Sequence, residues 1–268
     1  MFEIKSLSAL LLDSSLDEAM NDARVRVKYY PEDLQAHELL FKLYCLDFQW
    51  EKALSQLETM MLIDNEFRLQ GKNFKALITG EIKRMEVLSG RCDPAVITDN
   101  IPEWIQLLHQ GNKDYHAGDI SASETAHNKA FSLARECGGE GRATGVFSWI
   151  SDSDGRIGPV CEFISSAGYQ WIPFSEIQSM RISKPENLTD LLWIKSSLVI
   201  DDQVYSGYQP SRYLPGKNMS QRVKLGHQTE WEEISPSFVI AKGRKMYITD
   251  AGEYSLFDIQ DVTLNVAE

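Results

Sequence analysis

At 268 residues, 43% hydrophobic and 25% charged, the chain can bury a sizeable core in one large domain or two. Its formal charge is −12, with 16 basic against 23 acidic residues in 1–143 and 11 against 16 in 144–268. Neither half offers the basic footprint that phosphate contacts need, so neither nucleic acid nor an anionic membrane surface is expected as a partner.

In chain order, the first predicted helix is Ile4–Leu12, broken by Asp13-Ser14-Ser15, which caps a second over Leu16–Tyr30 that Pro31 stops. Leu39, Leu40, Leu43 and Leu46 fall at helical spacing in a third, Leu34–Leu46, and a fourth runs Trp50–Ile63. Leu16-Asp17-Glu18-Ala19-Met20 recurs as Trp50-Glu51-Lys52-Ala53-Leu54, with the alanines 34 residues apart. That is the period of the tetratricopeptide repeat, a helix–turn–helix unit whose stacking makes a binding groove. Phe41, Arg26 and Met60 occupy positions where the repeat has small residues, so the groove is expected to be divergent. A longer helix, Phe67–Leu88, places Phe74, Leu77, Ile78, Ile82, Met85 and Leu88 on one face and ends at Gly90. Pro102 opens another, and Tyr115-His116-Ala117-Gly118-Asp119 leads into a last helix ending near Phe131. By repeat register, Gln35, Glu38, Lys42, Cys45 and Leu46 line the groove, where an amphipathic helix of a partner would lie.

Four glycines within 137–145 mark a linker. They lack the Gly-Lys-Ser/Thr ending of a phosphate loop and precede a strand. Beyond them the apolar period becomes two. Strands are predicted over Val146–Ile150, Gly158–Ser165, Tyr169–Phe174, Met180–Ile182, Leu191–Ile200, around Tyr205, and over Val223–Leu225, Phe238–Ala241, Lys245–Thr249 and Asp258–Leu264. The expected fold class is α+β: a tetratricopeptide-like α-α superhelix over 1–136, the linker 137–145, and over 146–268 a strongly curved antiparallel or mixed sheet, half-barrel-like.

The candidate chemistry is sparse. Cys45, Cys92, Cys137 and Cys161 have no paired spacing and read as reduced thiols. The N-terminus carries no export signal, no run approaches the roughly 18 apolar residues that span a bilayer, and a cytoplasmic location is expected. Asp152-x-Asp154-Gly155 begins like a calcium loop, but the twelfth position is Phe163, so a turn with Asx hydrogen bonds is expected, with Arg156 pairing one carboxylate. His227, Glu230, Glu232 and Glu233 form a His/carboxylate cluster; with Asp152 they would be the parts of a hydrolase or metal enzyme, or else a solvated strand edge. Trp149, Trp171, Trp193 and Trp231 read as an aromatic core or an aromatic-lined binding face. No serine lies in a Gly-x-Ser-x-Gly elbow.

Several ordered strings resemble the ImpE/TagJ family. They are Asp152-Ser153-Asp154-Gly155-Arg156-Ile157-Gly158-Pro159 with Glu162, then Tyr169-Gln170-Trp171-Ile172-Pro173-Phe174, Leu188-Thr189-Asp190-Leu191-Leu192-Trp193, Arg212-Tyr213 and Glu230-Trp231, with Pro102-Glu103-Trp104 upstream. Leu214, inserted between Tyr213 and Pro215, departs from the pattern. The resemblance implies a non-enzymatic accessory protein of type VI secretion, without cofactor or metal. It also implies binding of the N-terminal helix of the small sheath subunit (TssB-like) and an indirect link to the ClpV ATPase. The motif residues are expected to be structural. A general assembly chaperone is the other non-catalytic reading, and an exposed β edge would allow a homodimer.

Overall fold

The computed structural model describes residues 15–97 and 100–265. The predicted helix Ile4–Leu12 lies outside them. Helix α1, Leu16–Tyr29, starts at a capping box: the Ser15 side chain accepts from Glu18 N–H while the Glu18 carboxylate accepts from Ser15 N–H. Helix α2, Leu34–Leu46, is capped by Asp33, which takes the amides of Gln35 and Ala36 and pairs with Arg26. Helices α3, Trp50–Ile63, and α4, Arg68–Leu88, follow. Helix α5, Glu103–Ala117, ends at Gly118 with φ 86°, and α6, Ile120–Leu133, completes the helical half. Each helix through α4 packs on its predecessor, α5 packs on α6, and the repeated alanines Ala19 and Ala53 are buried where helices approach.

The β-rich half contains an open eight-stranded sheet, not a closed barrel. Its strands are β1 (Gly139–Gly141), β2 (Gly145–Phe147), β4 (Val160–Ser165), β5 (Gly168–Pro173), β6 (Ser179–Ile182), β7 (Trp193–Ile200), β8 (Gln203–Pro210) and β13 (Asp261–Leu264). Their spatial order is β2-β1-β13-β6-β7-β8-β4-β5. A three-stranded sheet joins β3 (Ile150–Asp152) to β11 (Met246–Thr249) and β12 (Gly252–Ser255). A separate hairpin pairs β9 (Thr229–Ser235) with β10 (Phe238–Gly243). Among the described residues every strand pair is antiparallel, and the one parallel feature is an isolated bridge from Ala95 to Gln170 beside β5.

Several local readings change. The predicted strand Val223–Leu225 is instead part of a short helix, α7 (Gln221–Lys224), because the Ser220 hydroxyl caps its start and Gly226, φ 69°, ends it. Val146–Ile150 splits between two sheets where Ser148 N–H turns to the Asp250 carboxylate. The segment Leu188–Leu191 is a 3₁₀ turn before β7, closed by a capping box between Asn187 and Asp190. The glycine-rich segment 137–145 carries β1, which sits between β2 and β13; a Cβ on Gly139 would lie 2.4 Å from the Thr263 carbonyl oxygen. Gly138, Gly139 and Gly141 therefore serve close packing of strands.

The two halves share a core. One apolar cluster runs from Leu16 and Leu46 through Trp50, Ile78 and Leu108 to Ile164, Trp171, Trp193 and Tyr213. A second, including Phe163, Ile172, Ile194, Leu198 and Tyr247, lies almost wholly within the β-rich half.

Candidate functional site

The predicted apolar face of α4 packs on the core, with Phe74, Ile82 and Met85 partly buried against it, but the buried stripe is wider than predicted. Its buried residues include Leu77, Ile78, Glu81, Arg84, Val87 and Leu88, so a carboxylate and a guanidinium stand on the stripe that enters the core. Arg84 makes a two-pronged bond with Glu162 on β4, Nε to Oε1 at 2.7 Å and Nη2 to Oε2 at 2.8 Å. Its Nη1 donates to Glu81 at 3.2 Å and to the Arg212 carbonyl at 2.9 Å. Glu162 also accepts from Lys245 Nζ at 2.7 Å and from the Tyr169 hydroxyl, which in turn accepts from Trp171 Nε1 at 2.7 Å. Lys245 reaches on to Asp152, whose other oxygen accepts from the Tyr213 hydroxyl at 2.8 Å. Trp193 Nε1 donates to Glu81 at 3.1 Å.

Two cations (Arg84, Lys245) and three carboxylates (Glu81, Glu162, Asp152), all buried, thus meet where helix and sheet join, and Arg212 joins them through its backbone carbonyl. Buried charges are tolerated when paired and hydrogen-bonded, and here each carboxylate accepts from Arg84 or Lys245. Burial would raise the Glu162 carboxyl, but Arg84 and Lys245 outweigh it and hold it well below the usual range. For Asp152, burial dominates over Lys245 and pushes it up to about 6. Burial would lower Lys245, yet Asp152 and Glu162 raise it, so it stays charged.

Arg212 is a clamp. Its guanidinium donates to the carbonyls of Leu46 (3.0 Å), Cys45 (3.2 Å) and Lys224, joining the end of α2 to α7, and it lies over the Phe48 ring. The carbonyls at a helix C-terminus lack intrahelical donors, so a cation there satisfies them.

The Asx reading holds: Asp154 N–H donates to Asp152 and Arg156 N–H to Asp154, each at 2.9 Å. Arg156 also pairs with the Asp154 carboxylate. Gly158, φ 53°, has the Phe131 ring where a side chain would go; its carbonyl accepts from Asp152 N–H, and that of Pro159 from Phe174 N–H. Pro173 closes β5, and Asp190 accepts from the amides of Glu186 and Asn187. The structure therefore gathers Asp152, Glu162, Tyr169, Trp171, Trp193, Arg212 and Tyr213 into one network. Sequence reasoning missed Glu81, Arg84 and Lys245. The signal available was two charges, three apart, inside an apolar helical stripe.

The His/carboxylate set is not assembled. Among the described residues, no hydrogen bond or ion pair joins Asp152, His227, Glu230 and Glu232, and no group of three or more metal-ligating side chains occurs. Burial lowers His227, and so do Arg244 and Arg222, the cations it faces. Glu230 accepts from Gln228, Glu232 pairs with Lys242, and Trp231, 45% exposed, donates to Ser153. Of the tryptophans, Trp171 and Trp193 are core and Trp149 is half-buried.

On α2, Gln35 is exposed, and Glu38 and Lys42 are half-buried and paired at 2.5 Å. Cys45 and Leu46 are buried beneath Arg212, which leaves Gln35, Glu38 and Lys42 as the open part of that set. No described helix is long and apolar enough to cross a membrane.

Comparison with known proteins bears on the fold and the family. A solved structure of a protein from Vibrio parahaemolyticus has the same fold, with a TM-score of 0.88 at 21% identity over 96% of this chain and 97% of that one. The ImpE protein family model matches residues 144–263. The type VI secretion system accessory component TagJ of Pseudomonas aeruginosa is 30% identical over 256 residues, 94% of this chain and 89% of that protein. The chain belongs to the ImpE/TagJ family.

Proposed function

We propose that this chain is an accessory component of a type VI secretion system that works by binding rather than by catalysis. The observation that carries the reading is the similarity to TagJ along nearly the whole chain, helical half included. In this reading the helical half acts as a tetratricopeptide-like docking platform in the cytoplasm. It receives the N-terminal helix of the small sheath subunit along Gln35, Glu38 and Lys42, and through that contact is linked to sheath handling by the ClpV ATPase. Support for a binding role comes from the buried charges, which are spent on one another and brace the join between helices and sheet.

The test is calorimetry with the intact protein and a synthetic peptide of that sheath helix. Saturable binding, weakened several-fold in Lys42→Glu, is the expected result. A folded protein that gives no heat at several hundred micromolar peptide would overturn the reading.

A further inference from the structure

The β9–β10 hairpin offers an open edge. Strand β9 pairs with β10 alone, from Thr229 opposite Gly243 to Ser235 opposite Phe238. Among the described residues its other edge makes no backbone hydrogen bond. Glu230, Trp231, Glu232 and Glu233 are consecutive and all exposed, so both faces of the strand as well as the edge are open there. An unpaired edge is a template for another strand unless something covers it or repels it.

The side chains say what kind of strand. Glu230 and Glu232 share one face, Trp231 and Glu233 the other. Only Glu232 has a cation among the described residues, Lys242 at 2.5 Å; Glu230 and Glu233 have none. Trp231 is held by its Nε1–H to Ser153 Oγ at 3.1 Å, leaving much of its indole in solvent. A second copy of this chain would set carboxylates against carboxylates, which destabilises a strand pair. A basic strand would set ammonium or guanidinium groups against Glu230 and Glu232 on one face, with its intervening apolar side chains against the Trp231 indole on the other. The same charges thus reject one class of strand and accept the other.

We propose that the free edge of β9 receives an extended segment of a partner carrying lysine or arginine at alternate positions, added as a third strand to the β9–β10 sheet. Backbone pairing supplies the affinity, and the carboxylates select the charge. The inference is independent of the helix-binding reading and concerns a different face.

The test uses the intact protein and three labelled seven-residue peptides. One alternates lysine with valine, one replaces the lysines with glutamate, and one is the basic peptide N-methylated at alternate residues. The basic peptide should bind saturably and slow amide exchange at 229–235. In Glu230→Gln/Glu232→Gln the affinity should fall about fivefold, the scale of two exposed ion pairs. The glutamate peptide should not bind, and N-methylation should cost at least about tenfold, because it removes the strand's donors. Equal binding of the N-methylated peptide would reduce the contact to charge alone and overturn strand addition. An unchanged affinity in the double variant, or unchanged exchange at 229–235, would overturn the site.

Discussion

At the scale of single residues, His127 links burial to pH. Its ring is buried and stacked on Phe238 with centroids 4.2 Å apart. Nε2 donates to Asn112 Oδ1 at 3.0 Å and Nδ1 accepts from Ser123 Oγ at 3.2 Å, a neutral tautomer with both nitrogens satisfied. Burial lowers its pKa to about 4. A base depressed in the folded state contributes stability above its unfolded value, near 6.5, and loses it as pH falls toward 4. The effect is up to about 3 kcal/mol. In urea unfolding at a series of pH values, His127→Gln should flatten the difference between pH 7 and pH 4 by that order. An unaltered slope would assign the acid sensitivity elsewhere. Asp152, raised by burial to about 6, acts in the opposite sense, its contribution fading as pH rises through that value, so wild type minus variant is the quantity to compare.

At the scale of elements, the decisive contact is α4 against β4. Gly80 on α4 faces Ile164 of β4, and one turn on, Arg84 meets Glu162. A helix can carry two charges into a core only if the sheet beneath presents their partners, which Glu162 does for Arg84 and the Trp193 Nε1–H for Glu81. Replacing Glu162 by Gln leaves Arg84 and Lys245 with one buried anion fewer. The expected cost is about 3–5 kcal/mol in equilibrium unfolding. A loss below about 1 kcal/mol would mean that the network rearranges around the gap.

At the scale of the whole molecule, the shared core makes two sequence-distinct halves energetically one. Without residues 146–268, Leu77, Ile78, Val87 and Leu108 lose the cover of Ile157, Ile164, Trp171 and Trp193, while Glu81 and Arg84 lose Trp193 and Glu162. A 1–136 fragment is therefore expected to keep helical far-UV dichroism, bind a hydrophobic dye and melt without a cooperative transition. The intact chain should unfold in one step, with coincident far-UV and tryptophan signals. A fragment that melts cooperatively would show that the helices are self-sufficient.

Much of this was legible locally. The period-34 echo, capping residues, Pro31, and the change of apolar period near residue 145 depend on neighbours a few positions apart, and α1 to α6 and most strands follow from them. So do the Asx turns at Asp152 and Asp154. Where a stronger local signal competed, as the Ser220 cap did against the apolar run Val223–Leu225, periodicity failed. The charge network was beyond reach for another reason. Arg84 and Glu162 are 78 residues apart, and Lys245 a further 83, so nothing within one element states that they meet. The sequence by itself determined most of the elements and the family motifs they carry. Only the tertiary structure decided that Glu81 and Arg84 are buried along with the apolar face of α4, that the glycine-rich segment lies inside a sheet, and that the edge of β9 is left open. Those outcomes depend on which partner surface completes each element, and that surface comes from distant parts of the chain.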